Sequence, residues 1–281
     1  MRINTNVMAL NAQNMLTRNQ GGVESSIRKL SSGLRINGAA DDASGLAISE
    51  KMRAQIRGLN QAESNAQDGI SMIQTAEGAL QQTTDILQRM RELVIKAQNS
   101  GVLTEQDKES ISTELDALTD EIDRIASSTT FNTKTLLDGE LATDDKAAIF
   151  KIGANNFEDD ILTVTIGSMK AADILNTAGG STIAIDTADN AETALTRIDY
   201  AINKVSAERA KLGAVQNRME YAIENLSATS ENLSAAESRI RDVDMAEEMV
   251  SYTKNSILNQ SAMAMLAQAN QQPQQILSLL S

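Results

Sequence analysis

The chain lacks three residue types that carry much of protein chemistry, because its 281 residues include no cysteine, no histidine and no tryptophan. Without cysteine there is no disulfide, no thiolate metal site and no thiol nucleophile. Without histidine the chain also lacks the commonest acid–base catalyst and the commonest metal ligand. These absences argue against an enzyme, and we expect no cofactor and no metal.

Segments suited to a membrane are also missing from the sequence. The charge-free residues 255–281 have the length of a membrane-spanning helix, but 13 of these 27 residues are Asn, Gln or Ser. Pro273, the only proline, interrupts the same stretch. At the start of the chain, Asn and Gln break up the apolar run that a secretory signal peptide requires. We therefore expect no membrane span, and a chain that is soluble or exported without a cleaved signal peptide.

Basic charge is scarce and scattered, and the formal net charge is −13. Residues 104–160 hold fifteen acidic and five basic side chains, whereas residues 1–60 hold eight basic and four acidic ones. No basic stripe with interleaved aromatic residues is present, so nucleic acid is not an expected partner. The acidic middle is interpreted as a solvated outer face, since its spacing does not fit a calcium-binding loop.

The two ends of the chain carry no charge, yet they keep helical spacing. Residues 3–17 and 255–281 contain no Asp, Glu, Lys or Arg. Exposed helix faces of a free domain usually carry charges. Ends of this kind indicate helices that are packed on several sides by other helices, which favours assembly over catalysis. The apolar positions at helical spacing are Ile3, Val7 and Leu10, and then Leu258, Ala262, Met265 and Ala269.

Long helical patterns fill most of the chain. Residues 189–272 show apolar spacings of three, four and seven, typical of a coiled-coil seam, and we expect one break within residues 239–244. A helix of about 80 residues would be roughly 120 Å long. A globular chain of this size has a radius of gyration of only roughly 19 Å. The sequence therefore predicts an elongated molecule.

The N-terminal half shows three further helical segments. One seam covers residues 23–34, a polar connector covers residues 37–45, and a second seam covers residues 48–94. Gly33 is a predicted helix C-cap, and Asp42 or Ser44 is a predicted N-cap. Gly101 and Thr104 are the predicted caps on either side of the next break. The third helix has its apolar residues at Ile111, Leu115, Leu118, Ile122 and Ile125.

Only the centre of the chain changes period. Leu162, Val164 and Ile166 alternate with threonines, as in a half-buried strand, and Phe150 and Ile152 suggest its partner. One more short strand is suggested at Ile183 and Ile185. The predicted fold is mainly α: an elongated antiparallel helical coiled-coil bundle with a small β-hairpin in the central region.

Six sequence blocks resemble the terminal regions of bacterial flagellins. The first is KLSSGLRIN at residues 29–37, continued by DDASGLAISEKMRAQIRGL at residues 41–59. Together the resemblance covers residues 1 to about 137 and about 190 to 281. The other blocks are DGISMIQTAEGAL, LQRMRELVIKA, ERAKLGAVQNRMEYAIENL, ESRIRDVDMAEEM and LAQANQQPQQILSLLS.

The resemblance implies a division by position in a filament. Residues 1–43 plus 241–281 would form an inner domain of terminal helices beside the filament channel. Residues 44–240 would form a helical shell with a central β-hairpin region at about 140–188. The large outer domains of many flagellins are absent, and residues 176–188 stand in their place. The residues expected to pack in the filament core are Ile3, Val7, Leu10, Ile257, Leu266 and Leu277.

The resemblance also implies partners other than copies of the chain. Gln88, Arg89, Leu93 and Glu114 match positions that a host Toll-like receptor contacts in flagellins, although packing alone also explains this segment. On the C-terminal segment, a flagellar export chaperone could bind the amphipathic helix. Its anchors would be Ile257, Met263, Leu266 and Leu277. The export apparatus, the filament cap and the hook-junction proteins complete the expected partners.

The expected function is that of a structural subunit of the extracellular flagellar filament, secreted through the export channel and used for swimming motility. A hook–filament junction protein is the first alternative, because its ends are similar. A coiled-coil signalling or secretion-tip protein is a second. A zinc peptidase, which some flagellins carry, would need an HExxH helix, and the chain has no histidine.

Overall fold

The structure is a computed structural model that describes residues 6–99, 103–143, 145–175, 185 and 187–280, the side chains of residues 188 and 273–280 excepted. Along these residues it contains helices α1 (Val7–Ser32), α2 (Ala43–Ala97), α3 (Glu105–Ser128), α4 (Ala171–Ile174), α5 (Ala188–Arg241) and α6 (Met245–Leu280). The strands are β1 (Thr130–Phe131), β2 (Lys134–Thr135), β3 (Ala148–Lys151) and β4 (Ile161–Val164).

The chain divides into two compact units. Met1–Ile56 and Glu231–Ser281 make up the first unit, and Arg57–Ser230 makes up the second. The sequence-based division at residues 43/44 and 240/241 concerns position within an assembly rather than contacts within one chain. It stays a prediction.

In the first unit, α1 and α6 pair in antiparallel orientation. Asn6 Nδ2 donates to the carbonyl oxygen of Ala269 at 2.7 Å, near the start of α1. Near the end of α1, Lys29 Nζ lies 3.6 Å from Glu248 Oε2. Between them Gly22 faces Asn255 so closely that a Cβ on this glycine would lie 2.9 Å from Asn255 Nδ2. Residue numbers rise along one helix as they fall along the other, which fixes the antiparallel order.

The predicted caps at the connector between α1 and α2 are confirmed. Gly33 adopts a left-handed conformation, φ 70°, and its N–H donates to the carbonyl oxygen of Lys29. Asp42 Oδ1 accepts the N–H of Gly45 at 2.9 Å, in the first turn of α2. A Cβ at the left-handed position would be strained, which explains glycine at residue 33.

The predicted break between the last two helices is confirmed, and the α1–α2 connector runs beside it. Leu34 and Asp242 form an isolated antiparallel bridge. The Arg35 N–H donates to the carbonyl oxygen of Arg241 at 2.6 Å, and Arg35 Nη2 donates to that of Ile240 at 2.6 Å. These bonds satisfy carbonyls that the end of α5 leaves without helical partners.

In the second unit, α2 and α5 are also antiparallel. Arg91 Nε lies 2.8 Å from Asp199 Oδ1, and Arg209 Nη2 lies 3.0 Å from Glu77 Oε1. Apolar side chains from α2, α3 and α5 belong to one core in this unit. Its fully buried members include Leu80, Leu87, Met90, Leu115, Ile122, Ile198, Val205 and Leu212.

Helix α3 begins at a complete capping box. The Thr104 hydroxyl oxygen accepts the N–H of Asp107 at 3.3 Å, and Asp107 Oδ2 accepts the N–H of Thr104 at 2.9 Å. The predicted N-cap at Thr104 is therefore confirmed. Gly101, the predicted C-cap before it, lies outside the described residues.

The central β-hairpin is confirmed: β3 and β4 are antiparallel, and Phe150 pairs with Leu162. The smaller hairpin of β1 and β2 and the single turn of α4 were not predicted from the sequence. At the β1–β2 turn, Asn132 and Thr133 both have positive φ, 47° and 68°. Ile183 and most of residues 176–188 lie outside the described residues. The mainly α fold with antiparallel helices and a small hairpin is confirmed.

Candidate assembly surfaces

Helix α1 presents apolar side chains to solvent along its charge-free half. Val7 is 60% exposed and Leu10 is 55% exposed, and Met8 and Met15 are exposed beside them. Isolated apolar residues on a surface need no explanation, but a contiguous set indicates a binding surface. Ile3, predicted to belong to this set, lies outside the described residues.

Helix α6 continues the same apolar surface in the first unit. Ile257 is 57% exposed and Met263 is 50% exposed, while Leu266 is half-buried. Ala262 and Ala269 are buried, so the four- and seven-residue spacing seen in the sequence includes the side that α1 covers. The side chain of Leu277 lies outside the described residues.

A groove of about 360 Å³ runs between these two helices. Met8, Met15 and Met265 give it a largely apolar lining, to which Asn11 and Asn19 also contribute. Unbranched methionine side chains adapt to the shape of whatever packs on them. An apolar helix of another chain would remove this surface from water without burying any charge.

A second surface joins α2 to α3 in the second unit. Arg89 Nη2 lies 2.9 Å from Glu114 Oε1, and Arg89 Nη1 lies 3.3 Å from Glu92 Oε2. The hydrogen bond and charge of Glu114, with a smaller effect of Glu92, raise the pKa of the Arg89 guanidinium above its ordinary value. Gln88, the residue before Arg89 on α2, is exposed.

The structure places Leu93 differently from its three companions, because only 3% of this side chain is exposed. It lines a groove of about 440 Å³ between α2 and α3, together with Arg89, Glu114 and Ile111. Arg89, Leu93 and Glu114 are therefore brought together, with the leucine at the floor of the groove and the ion pair at its rim. A partner protein could bind there through charge-assisted hydrogen bonds.

The described part of the chain also bears on metal binding and on membrane crossing. Within it, no three Asp or Glu residues cluster in a way that could hold a metal ion. Nor does any helix of that part combine the length and apolarity needed to cross a bilayer.

Sequence reasoning missed the contacts of Arg35 with the end of α5. The partners are separated by 205 residues, and nothing in the local pattern points from one to the other. The Asn6 side chain was also missed, although an Asn just before an apolar helical pattern is a recognisable N-cap: its Oδ1 accepts the N–H of Ala9 at 3.1 Å.

Similarity to known proteins extends over nearly the whole chain. Residues 3–142 match the bacterial flagellin N-terminal helical region, and residues 195–280 match the bacterial flagellin C-terminal helical region. Flagellin of Bacillus subtilis (strain 168) is 54% identical over 303 residues, with 100% of each chain covered. The flagellar filament 33 kDa core protein of Treponema phagedenis is 51% identical over 288 residues, again with 100% of each chain covered. The crystal structure of Bacillus cereus flagellin gives a TM-score of 0.49 at 30% identity, over 62% of this chain and 94% of that one.

Proposed function

The chain belongs to the bacterial flagellin family and is a structural subunit of the extracellular flagellar filament, and we propose that its charge-free helix faces pack against neighbouring copies in the innermost layer. Flagellins are structural filament proteins rather than enzymes. In this proposal residues 1–43 plus 241–281 form the inner layer beside the channel, and residues 44–240 form the shell.

The observation that supports the inner position is the combination of exposure and missing charge on α1 and α6. Val7, Leu10 and Ile257 are each more than half exposed in the single chain. Residues 255–281 carry no charged side chain that would need water. Burying the exposed part of a side chain such as Ile257 against another copy contributes about 1–2 kcal/mol. Ile3, Leu266 and Leu277 complete the proposed packing set.

Seeded polymerisation tests the inner packing. Purified subunits carrying Ile257→Asn should elongate filament seeds much more slowly than the original chain, because a buried amide without partners destabilises the contact. Ile257→Leu is the matched control, since it keeps the apolar surface and nearly the same volume. If Ile257→Asn elongates seeds at the rate of the control, Ile257 does not lie in the packed layer.

The same experiment addresses the alternative function of a hook–filament junction protein. A junction protein would bind to filament ends and stop, whereas a filament subunit adds repeatedly. Electron micrographs of seeds incubated with the chain should show filaments that lengthen with subunit concentration. Seeds of unchanged length with bound protein at their ends would favour the junction protein.

We also propose that the same α6 surface binds the flagellar export chaperone before assembly, with Ile257, Met263, Leu266 and Leu277 as anchors. Support comes from the exposure of Ile257 and Met263 and from the amphipathic spacing. Met263→Asn should weaken binding of the subunit to the chaperone in calorimetry. Met15→Asn, on α1 and 64% exposed, is the control and should bind normally. If Met263→Asn binds the chaperone as tightly as Met15→Asn, the chaperone does not bind through this surface of α6.

A further proposal concerns a host Toll-like receptor, which would bind the α2–α3 surface through Gln88, Arg89, Leu93 and Glu114. Arg89→Ala should weaken binding to the receptor ectodomain by about tenfold or more, because arginine is enriched among the interface residues that contribute most to binding. Arg124→Ala is the matched control, since it removes another exposed arginine, paired with Glu121 at 2.6 Å. An unchanged affinity of Arg89→Ala would contradict the proposal. Binding to the export apparatus, cap and hook-junction proteins is part of the same proposed life cycle.

A further inference from the structure

The connector between α1 and α2 contains the only Asn-Gly pair of the sequence, Asn37–Gly38. Asparagine followed by glycine is chemically labile, because glycine has no Cβ to hinder attack by its own backbone nitrogen. Asn37 is exposed, and the space that a Cβ on Gly38 would occupy contains no atom within 4 Å. Local sequence and access therefore both favour reaction at this peptide bond.

The reaction consumes only water. Hydroxide removes the Gly38 N–H proton, the nitrogen attacks Asn37 Cγ, and the side-chain nitrogen leaves as ammonia. A cyclic imide results. Water then opens this ring at either carbonyl, which gives aspartate or isoaspartate at residue 37. No oxidant, reductant or enzyme is needed.

Hydrogen bonds in the structure make the attacking nitrogen less reactive. The Gly38 N–H donates to Asp41 Oδ2 at 3.1 Å, and the Asn37 N–H donates to the same oxygen at 3.0 Å. Removing the Gly38 proton would leave a negative nitrogen facing a carboxylate, which Coulomb repulsion opposes. The side-chain amide is also held, because Asn37 Nδ2 donates to the carbonyl oxygen of Leu34 at 3.3 Å.

We propose that Asn37 is a deamidation site of this chain and that Asp41 slows the reaction by binding the Gly38 N–H. The carboxylate of Asp41 thus protects the connector from chemical ageing. The product would place a second negative charge beside Asp41, and isoaspartate would lengthen the backbone by one methylene. Both changes would disturb the connector next to Leu34, which bridges to Asp242.

The test compares deamidation rates in the full-length subunit at mildly alkaline pH. Peptide mass spectrometry measures conversion of Asn37 to the acid, and fragmentation separates aspartate from isoaspartate. Asp41→Ala should react about tenfold faster than the original chain, equivalent to ~1.4 kcal/mol of barrier. Asp41→Asn, which keeps the shape but removes the charge, should give an intermediate rate.

Two variants control for other causes. Asp42→Ala removes the neighbouring cap of α2 but leaves the bonds of Asp41 in place, and its rate should match the original chain. Gly38→Ala, for which space is available, should suppress the reaction at residue 37 both in the original chain and in combination with Asp41→Ala. A rate for Asp41→Ala equal to or below that of the original chain would overturn the proposal. The proposal would equally be overturned if Asp42→Ala accelerated the reaction as much as Asp41→Ala.

Discussion

Gly69 and Gly78 lie on the same helix but in different surroundings. A Cβ on Gly69 would lie 2.8 Å from Met219 Cε and 3.1 Å from Phe150 Cδ1, whereas a Cβ on Gly78 would meet no atom within 4 Å. Gly69 therefore marks a close approach of α5 and β3 to α2. Gly78 has no such role, and it leaves α2 with the entropic disadvantage of a glycine within a helix.

These surroundings predict different effects of alanine at the two positions. Gly78→Ala should raise the free energy of unfolding by about 0.5–1 kcal/mol, because alanine restricts the unfolded chain and favours helix. Gly69→Ala should lose this gain, since the methyl group must displace Met219. Urea unfolding of the depolymerised subunit measures both. Equal stabilisation by the two variants would contradict the close approach at Gly69.

The Thr104–Asp107 capping box predicts a pH-dependent stability. Hydrogen bonds from the Thr104 hydroxyl and, to a lesser extent, the Thr104 N–H lower the pKa of the Asp107 carboxyl below its ordinary value of 3.8. A carboxyl with a lowered pKa in the folded state stabilises the fold above its unfolded-state pKa, and this contribution disappears as pH falls through the folded-state value.

Asp107→Asn should therefore unfold more easily than the original chain at neutral pH, and the difference should shrink as the pH falls below 3.8. Thermal unfolding followed by circular dichroism over a pH series measures the difference. Glu109→Gln, on the same helix but outside the capping box, is the control and should show little difference at any pH. If Asp107→Asn remains less stable than the original chain at strongly acidic pH, the stabilisation does not come from the ionised Asp107 carboxyl.

At the scale of helices, the antiparallel contact of α1 and α6 depends on a small residue at position 22. Gly21 and Gly22 are adjacent, but only Gly22 approaches Asn255, and the space beside Gly21 is free. Gly22→Leu should force the two helices apart and destabilise the pair by about 1–3 kcal/mol. Gly21→Leu, with the same change in helix propensity, should be tolerated. In the depolymerised subunit, the free energy of unfolding in urea should fall for Gly22→Leu only, and an equal fall for both variants would contradict this packing.

The helices could be predicted from the sequence because their signals are local and repeated. The seven-residue spacing of Leu80, Leu87 and Val94 marks the buried side of α2, and Thr104 marks the start of α3. The β1–β2 hairpin was missed because its strands have two residues each, too few to show an alternating pattern. Its turn uses Asn132, a residue that tolerates positive φ, but the following Thr133 gives no such signal.

The candidate surfaces were predictable only in part. Apolar spacing and missing charge predicted Val7 and Leu10 as filament-packing positions without any three-dimensional information, and the resemblance to flagellins added Ile257. The burial of Leu93 and the ion pair of Arg89 with Glu114 depend on how α3 folds back onto α2. Such contacts are set by tertiary packing, which a single sequence does not encode in a local pattern.

For the molecule as a whole, the acidic middle of the chain and the charge-free segments proposed for assembly contacts lie in different parts of the sequence. The acidic side chains concentrate within residues 104–160, whereas residues 3–17 and 255–281, proposed to pack in the filament interior, carry no charge. This arrangement lets apolar surfaces meet without burying ions. It also leaves each subunit with a net charge of −13, so that subunits repel one another as they approach a growing filament.

Screening of this repulsion should accelerate assembly. Raising NaCl from low ionic strength towards about 0.15 M shortens the Debye length to about 8 Å, so the rate of seeded elongation should rise. A variant with Glu109→Gln, Asp116→Asn and Asp120→Asn loses three negative charges, which changes the net charge from −13 to −10. It should elongate faster than the original chain at low salt and respond less to added salt. Light scattering of seeded reactions measures both rates.

Two outcomes would contradict this prediction: an elongation rate that falls as salt is added, or an equal salt response of the two chains. Either would show that another step limits assembly, such as the folding of α1 and α6 against the filament end.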